Sequence, residues 1–178
     1  MENNMKLRKF IATTLCIYLN ERQILKENNS RYILVPYDEY NEDFEEYGID
    51  EYDAADKALE IAKDGGVTIL RDKRLSGILI DTKLPRVIGA IWVSDSSDKF
   101  SFDIAIDSSY QNMGLSDILI KDAISEYQTQ KDVYDDMGED FKMEVDVINP
   151  KLAQILKNKY GFYVVGELSQ NRVLMSVD

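Results

Sequence analysis

The residues of this sequence best suited to chemistry lie in a polar turn between a predicted strand and a predicted helix. Residues 100–106 (FSFDIAI) alternate as a strand, and residues 114–130 carry apolar side chains at helical spacing. The turn ends in QNMGLS at residues 111–116. The first amides of a helix lack internal acceptors and carry partial positive charge, so this junction can bind an anion such as a phosphate. Gly114 lets a ligand approach the backbone, and the small Ser116 keeps the next turn open.

The overall charge of the chain bears on what such a site would bind. Asp and Glu number 33 against 21 Lys and Arg, a formal net charge of −12 at pH 7. This balance argues against nucleic-acid binding, which needs a basic surface, and is compatible with a cationic amine. We therefore expect an amine substrate and no nucleic-acid partner. The acidic residues 38–53 are interpreted as a solvated loop or a frayed helix, with a lid or a landing site for a cation as the less favoured alternative.

Missing residue types narrow the chemistry further. The chain has no His and a single Cys, Cys16. Zinc sites and Ser/His or Cys/His catalysis are therefore excluded, and we expect no metal. Proton transfer must rely on a carboxylate, Tyr, Lys or water. Cys16 cannot form an internal disulfide, which fits a reducing compartment, and we interpret it as a buried thiol rather than a covalent nucleophile.

The N-terminal residues begin like a secretory signal but are better explained as a helix. Lys6, Arg8 and Lys9 precede an apolar run over residues 10–19, but no small-residue cleavage site follows it. The run is also too short to span a bilayer. Apolar residues recur at helical spacing over residues 6–27. These features predict an amphipathic helix, a cytoplasmic protein and no membrane partner.

The remaining elements follow an order typical of an α+β domain. Strands are expected over residues 31–37, 67–71, 76–81, 87–94, 100–106, 141–148, 162–168 and 172–177. Helices are expected over residues 54–63, 114–130 and 150–158. We therefore predict a mixed, mostly antiparallel central sheet flanked by helices. Residues 1–50 would form an N-terminal helical and acidic extension packed on a domain of residues 51–178.

The pattern around the turn resembles the acetyl-CoA signature of the GNAT superfamily of N-acetyltransferases. Residues 107–119 read DxxYQxxGLxxxL, similar to the family pattern Arg/Gln-x-x-Gly-x-Gly/Ala, with Ser116 in place of the last small residue. Residues 87–93 (VIGAIWV) resemble the preceding strand. Residues 145–162, from VDVINP to the Gly-Phe pair, resemble the last block of the family. The resemblance extends over about residues 67–168 and implies the GNAT-like acyl-CoA N-acyltransferase fold.

The resemblance implies acetyl-CoA as the cofactor and indicates the residues that would hold it. In the family, the loop amides bind the pyrophosphate, and a bulge in the signature strand pairs through its backbone with the pantetheine arm. An Asn reaches this arm where two strands separate. The implied cofactor-binding residues are Ile104, Ala105, Ile106, Gln111, Asn112, Met113, Gly114, Leu115, Ser116 and Asn149.

The resemblance also implies direct attack of an amine on the thioester in a ternary complex. A carboxylate would take the amine proton, and Asp103, Glu144 and Asp146 are the candidates. Glu144 and Asp146 share one face of their strand, and both are bystanders if that face is only solvated. Lys157 stands where the family has the tyrosine that protonates the thiolate. Tyr160 is the nearest alternative acid, with core packing as its favoured role.

The sequence therefore predicts an acetyl-CoA-dependent N-acetyltransferase for a primary amine, either of a small molecule or of a protein. The alternative is a catalytically weak or inactive GNAT-fold protein whose N-terminal helix binds a partner or a second copy. The missing tyrosine and the N-terminal residues without a family counterpart motivate this alternative. A homodimer is compatible with both hypotheses.

Overall fold

The structure is built around one sheet of seven strands. A computed structural model describes residues 31–37, 43–69, 72–96, 98–169 and 172–177 of the chain. The strands are β1 (Tyr32–Pro36), β2 (Arg74–Asp81), β3 (Arg86–Ser96), β4 (Lys99–Ile106), β5 (Lys142–Val147), β6 (Tyr163–Ser169) and β7 (Arg172–Val177). Their order across the sheet is β1-β2-β3-β4-β5-β7-β6.

Four helices lie within the described residues, together with a short 3-10 turn. The helices are α1 (Asp43–Glu46), α2 (Glu51–Asp64), α3 (Ser116–Met137) and α4 (Pro150–Tyr160), and the 3-10 turn is Ser108–Tyr110. No helix in the described ranges is both long enough and apolar enough to cross a membrane.

All strand pairs of this sheet are antiparallel except one. The strands β1 to β4 form a meander, and β5, β7 and β6 pair antiparallel beside it. β4 and β5 run parallel and pair only where Lys99 meets Lys142 and Phe100 meets Met143. Beyond these residues the two strands separate and leave a gap in the sheet. The predicted fold class, a mixed and mostly antiparallel sheet flanked by helices, is confirmed.

Both faces of the sheet are covered by apolar side chains. On one face, α2 packs Ala54, Ala58 and Ile61, which share one side of the helix, against β2, β3 and β4. On the other face, α3 packs a stripe that includes Leu119 and Tyr127, and α4 adds its own apolar side. The separated part of β4 and β5 therefore has apolar packing on the α3 side, to which Ile104 and Val145 belong.

Local signals set the ends of the helices. Asp50 caps α2 and Asn149 caps α4 through side-chain oxygens, and Pro150 occupies the first position of α4. Gly138 and Gly161 end α3 and α4 with left-handed backbones (φ +76° for both). These are the start and stop signals that sequence patterns can identify.

Several predicted elements differ from the structure or lie outside it. The helix expected over residues 114–130 continues to Met137, because no Gly or Pro interrupts residues 131–137, Tyr134 packs against the core and Gly138 is the first stop. The strand expected over residues 67–71 is wrong for residues 67–69, which are irregular. The acidic residues described from 43 onward form α1 and the start of α2. The N-terminal helix predicted over residues 6–27 lies outside the described residues.

Gly89 of β3 allows a close backbone approach within the sheet. A Cβ built at this position would lie 2.8 Å from the carbonyl oxygen of Ala105 on β4. A backbone atom cannot turn aside as the end of a flexible side chain can. Any larger residue at position 89 must therefore push β3 and β4 apart beside the gap.

Gly89→Ala should reduce the free energy of unfolding by about 1–3 kcal/mol, the usual effect of overpacking. Gly166→Ala in β6 is the matched control, because a Cβ there would have no heavy atom within 4 Å. It should be neutral or slightly stabilising. Urea denaturation measures both variants, and equal stabilities would contradict the close approach at Gly89.

Candidate functional site

The gap between β4 and β5 exposes backbone groups of β4. The amide of Asp107, just after β4, donates to the carbonyl oxygen of Ile88 on β3 at 2.9 Å. In an antiparallel pair, the backbone groups of alternate residues point to the same side. Ala105 therefore turns its backbone toward β3, whereas Ile104 and Ile106 turn theirs toward the gap.

The bulge that the GNAT resemblance implies in β4 is not present. β3 and β4 pair residue for residue, from Gly89 with Ile106 to Ser96 with Lys99, without a register shift. The irregularities of the meander lie between β2 and β3 instead. Ala105 was expected to contact the pantetheine arm. Its backbone pairs with β3 instead, and its side chain is buried among the apolar residues that pack with α2.

Residues 111–116, the predicted anion-binding turn, form an open loop before α3. Asn112 (φ +63°) and Gly114 (φ +77°) have left-handed backbones, which Asn and Gly tolerate. Residues 111–114 are exposed, Met113 among them. None of the backbone hydrogen bonds in the described turns uses the amides of residues 112–116. Uncommitted amides beside left-handed residues are typical of concave anion-binding sites.

This loop is anchored on its inner side and open on its outer side. Leu115 is 5% exposed and packs into the core beside α3, whereas Ser116 begins α3. A Cβ built at Gly114 would have no heavy atom within 4 Å, so the space beside this residue is open. At the start of the loop, Nε2 of Gln111 donates to the carbonyl oxygen of Ile106 at 3.3 Å.

A buried carboxylate holds the residue just before the loop. Asp81, the last residue of β2, is 0% exposed and accepts a hydrogen bond from the hydroxyl of Tyr110 at 2.9 Å. Arg31 donates to both carboxylate oxygens, with Nη2 at 3.0 Å and Nε at 3.2 Å. Arg31 keeps the pKa of Asp81 below its ordinary value, although burial opposes this. Burial, with Asp81 adding to it, raises the pKa of Tyr110.

Further contacts fix the 3-10 turn around Tyr110. The ring of Tyr32 meets that of Tyr110 edge to face, with centroids 6.2 Å apart. The guanidinium of Arg86 lies 5.4 Å from the Tyr110 centroid and pairs with Asp107 at 2.9 Å. Hydrogen bonds from Ser109, with Arg86 adding to them, lower the pKa of Asp107. β1, the start of β3 and the 3-10 turn, which are distant in sequence, thus meet at the entrance to the loop.

The beginning of α4 lies beside the same loop. Nζ of Lys151 is 3.5 Å from Oδ1 of Asn112. Asn149 uses its side-chain oxygen to accept from the amide of Lys151 at 2.9 Å. The side-chain NH2 group of Asn149 would therefore make the predicted contact with a cofactor arm.

The three candidate bases lie on one face of the sheet. Phe100 and Met143, paired across β4 and β5, both belong to the core on the α3 side. Side chains alternate along a strand. Asp103, Glu144 and Asp146 therefore point to the opposite face, on either side of the gap.

Asp103 and Glu144 each have a cationic partner, but the two pairs differ in burial. Asp103 pairs with Lys73 at 2.9 Å, and their side chains are 18% and 8% exposed. Glu144 pairs with Lys99 at 2.9 Å, and their side chains are 24% and 49% exposed. Glu144 raises the pKa of Lys99 above its ordinary value. The Asp103–Lys73 pair is nearly buried, whereas Glu144 and Lys99 lie closer to the surface and can separate there.

Asp146 and Tyr160 are also engaged with other side chains. Asp146 pairs with Arg172 of β7, whose pKa it raises. The hydroxyl of Tyr160, at the end of α4, donates to Asp117 in the first turn of α3 at 3.1 Å, and Lys159 pairs with the same carboxylate. Burial, with the charge of Asp117 adding to it, raises the pKa of Tyr160. Tyr160 thus joins α4 to the start of α3.

Sequence reasoning missed Arg31, Lys73 and Asp81. Arg31 opens one apolar run and Asp81 closes another, so both read as ends of strands. Their contact depends on the pairing of β1 with β2, in which Tyr32 lies opposite Asp81. The signal in the sequence that could have indicated them was a charged residue at the end of an otherwise apolar strand.

No protein-family model matches the sequence, and comparison with curated proteins by sequence finds no match. Similar solved structures include a GNAT-family acetyltransferase from Streptococcus pneumoniae, with 14% identity and a TM-score of 0.53. The match covers 82% of this chain and 98% of that one. The ribosomal-protein-S18-alanine N-acetyltransferase from Escherichia coli has 13% identity, a TM-score of 0.52 and coverage of 82% and 92%.

At these identities the likeness concerns the fold. In this chain, that fold comprises the meander, the parallel β4–β5 pair that separates into a gap, and the loop before α3. The chain therefore has the fold of the GNAT-superfamily N-acetyltransferases.

Proposed function

We propose that this protein is an acetyl-CoA-dependent N-acetyltransferase that acts on a primary amine by direct attack in a ternary complex. The observation that carries the proposal is the continuity of the gap with the 111–116 loop. Gln111 bonds to Ile106, the last gap-facing residue of β4, so the loop begins where the gap ends. A cofactor with an amide-containing arm and a pyrophosphate requires these two sites side by side. The GNAT fold supports the same activity.

The residues present fit such a cofactor. The gap-facing backbone of Ile104 and Ile106 can pair with amides of the arm, and the amides of residues 112–116 can bind the pyrophosphate. The open space at Gly114 leaves room for the phosphates, and Lys151 adds positive charge beside the loop. When bound, acetyl-CoA supplies the acetyl group as an activated thioester.

We assign to Glu144 the role of accepting the amine proton, directly or through water. Exposed ion pairs contribute only about 0–1 kcal/mol, so Lys99 can release Glu144 easily. Asp103 is less suitable, because releasing it would leave the nearly buried charge of Lys73 without a partner. Glu144 also follows Met143 directly, the last residue of β5 that pairs with β4, and so lies where the gap opens.

No side chain is assigned to protonate the thiolate. Tyr160 donates its hydroxyl to Asp117 and has a raised pKa, which makes it a weak proton donor. Water can supply this proton, because a thiolate is a good leaving group near neutral pH. Tyr160 therefore joins α4 to the first turn of α3 through its hydrogen bond to Asp117.

The acceptor is proposed to be an amine that is cationic before it reacts. The net charge of −12 favours the approach of cations, and α1 adds the exposed carboxylates of Glu45 and Glu46. Replacing both with Gln should raise KM for the amine, and the rise should shrink at high salt because surface attraction is screened. A KM independent of these residues would leave the preference for cations unsupported.

Acetyl-CoA should bind to the parent protein, and Gly114→Trp should weaken binding by more than about 100-fold because the indole would fill the space beside the loop. Gly138→Trp is the matched control. Gly138 has the same left-handed backbone (φ +76°) and equally open surroundings, but it lies at the far end of α3. Isothermal titration calorimetry measures both. Equal binding by the two variants would place the cofactor elsewhere, and absence of binding by the parent would refute the proposed activity.

Glu144→Gln should lower kcat near pH 7 by about 100-fold, the usual contribution of a general base, and leave KM for acetyl-CoA unchanged. The defect should shrink at high pH, because an amine with a pKa near 10 then loses its proton to solvent. Steady-state rates over a pH series measure this. Asp146→Asn is the control and should change kcat only a few-fold. Full activity of Glu144→Gln would contradict the assignment.

A further inference from the structure

We propose that Asp81 is a positioning residue for the 111–116 loop and that it acts through the hydroxyl of Tyr110. The proposal rests on the proposed function in one respect, which is that the loop binds the phosphates of acetyl-CoA. Asp81 lies outside the signature of residues 107–119, and Tyr110, although it is part of that pattern, is given no role in it beyond its position before the loop.

The loop needs an anchor at its entrance. Residues 111–114 are exposed, and left-handed backbones at Asn112 and Gly114 are conformations that a free chain rarely keeps. At the far end, Leu115 is buried and α3 begins. At the near end, the corresponding buried side chain is Tyr110, 7% exposed. The shape of the loop therefore depends on how firmly Tyr110 is held.

The bond from Tyr110 to Asp81 is suited to this task. It is buried, 2.9 Å long, and ends on an ionised carboxylate, and such bonds are about twice as strong as neutral ones. Asp81 is itself fixed by the two-oxygen contact with Arg31 and by the amide of Lys83 at 3.0 Å. The acceptor is thus oriented before the tyrosine meets it.

Arg31 connects the anchor to β1. It directly precedes Tyr32, the first residue of β1, and its contact with Asp81 spans 50 positions of sequence. Without this guanidinium, a carboxylate with no exposed surface would have to be neutral or disordered. Arg31, Asp81 and Tyr110 therefore form a continuous link from β1 to the loop.

Tyr110→Phe tests the link, because it removes the hydroxyl and keeps the ring against Tyr32 and Arg86. Kd and KM for acetyl-CoA should rise about tenfold, as expected for one hydrogen bond to a charged group. At saturating acetyl-CoA, kcat should stay within about twofold, because the reacting groups are untouched. Backbone order parameters of residues 111–116, measured by ¹⁵N relaxation, should fall from about 0.85 toward 0.6.

Tyr127→Phe is the matched control, since its buried hydroxyl donates to the carbonyl oxygen of Phe141 at 3.2 Å in the same core. It should lower stability comparably and leave Kd and the order parameters unchanged. Asp81→Asn should reproduce the effect of Tyr110→Phe on Kd, and the double variant should be no worse than either, because both act on one bond.

The outcomes separate this proposal from the proposed function. If the parent binds acetyl-CoA and Tyr110→Phe changes stability without changing Kd or the order parameters, the positioning role is refuted and the function stands. If the parent does not bind acetyl-CoA, the function is refuted. In that case the order parameters of Tyr110→Phe are the remaining test of the positioning role, and unchanged values would contradict it.

Discussion

The separation of β4 from β5 is the constraint on which the candidate site depends. The two strands pair at their first residues, where Phe100 and Met143 are buried together, and then diverge. The backbone groups of Ile104 and Ile106 consequently face a gap in the sheet. Backbone groups that no strand pairs need another partner, and here Gln111 supplies one to the carbonyl oxygen of Ile106, whereas water or a ligand can pair with the others. The same divergence places the starts of α3 and α4 at one end of the gap, where Lys151 meets Asn112.

The entrance to the loop beside this gap is held by a side chain that is both charged and buried, Asp81. A carboxylate without exposed surface, such as Asp81, is unfavourable unless it is paired and hydrogen-bonded. Arg31, Lys83 and Tyr110 together meet this requirement. The cost of burying Asp81 is offset only in one arrangement of β1, β2 and the 3-10 turn. The stability of the fold and the shape of the loop are therefore linked through one side chain.

Local signals in the sequence predicted most elements and the loop itself. Caps and stops at Asn149 and Gly161, alternation in β4 and the glycine at 114 act over a few residues, so a pattern can reveal them. The regular β3–β4 pairing, the contact of Arg31 with Asp81 and the cations beside the candidate bases depend on residues far apart in the chain. Local patterns carry no information on these contacts, which is why the base could not be singled out. The bulge that the family resemblance implied was wrong, because β3 and β4 pair without a register shift.

Local neutralisation explains how a chain with a net charge of −12 can offer a site for an anion. Asp107 and Asp117 flank the loop and would repel phosphate if their charges were unopposed. Asp107 pairs with Arg86, and Asp117 pairs with Lys159 and also accepts from Tyr160. An approaching phosphate therefore meets uncommitted amides and the ammonium of Lys151, whereas the two flanking carboxylates are already paired with cations. The acidic character of the protein can then favour the proposed amine substrate without preventing the binding of the proposed anionic cofactor.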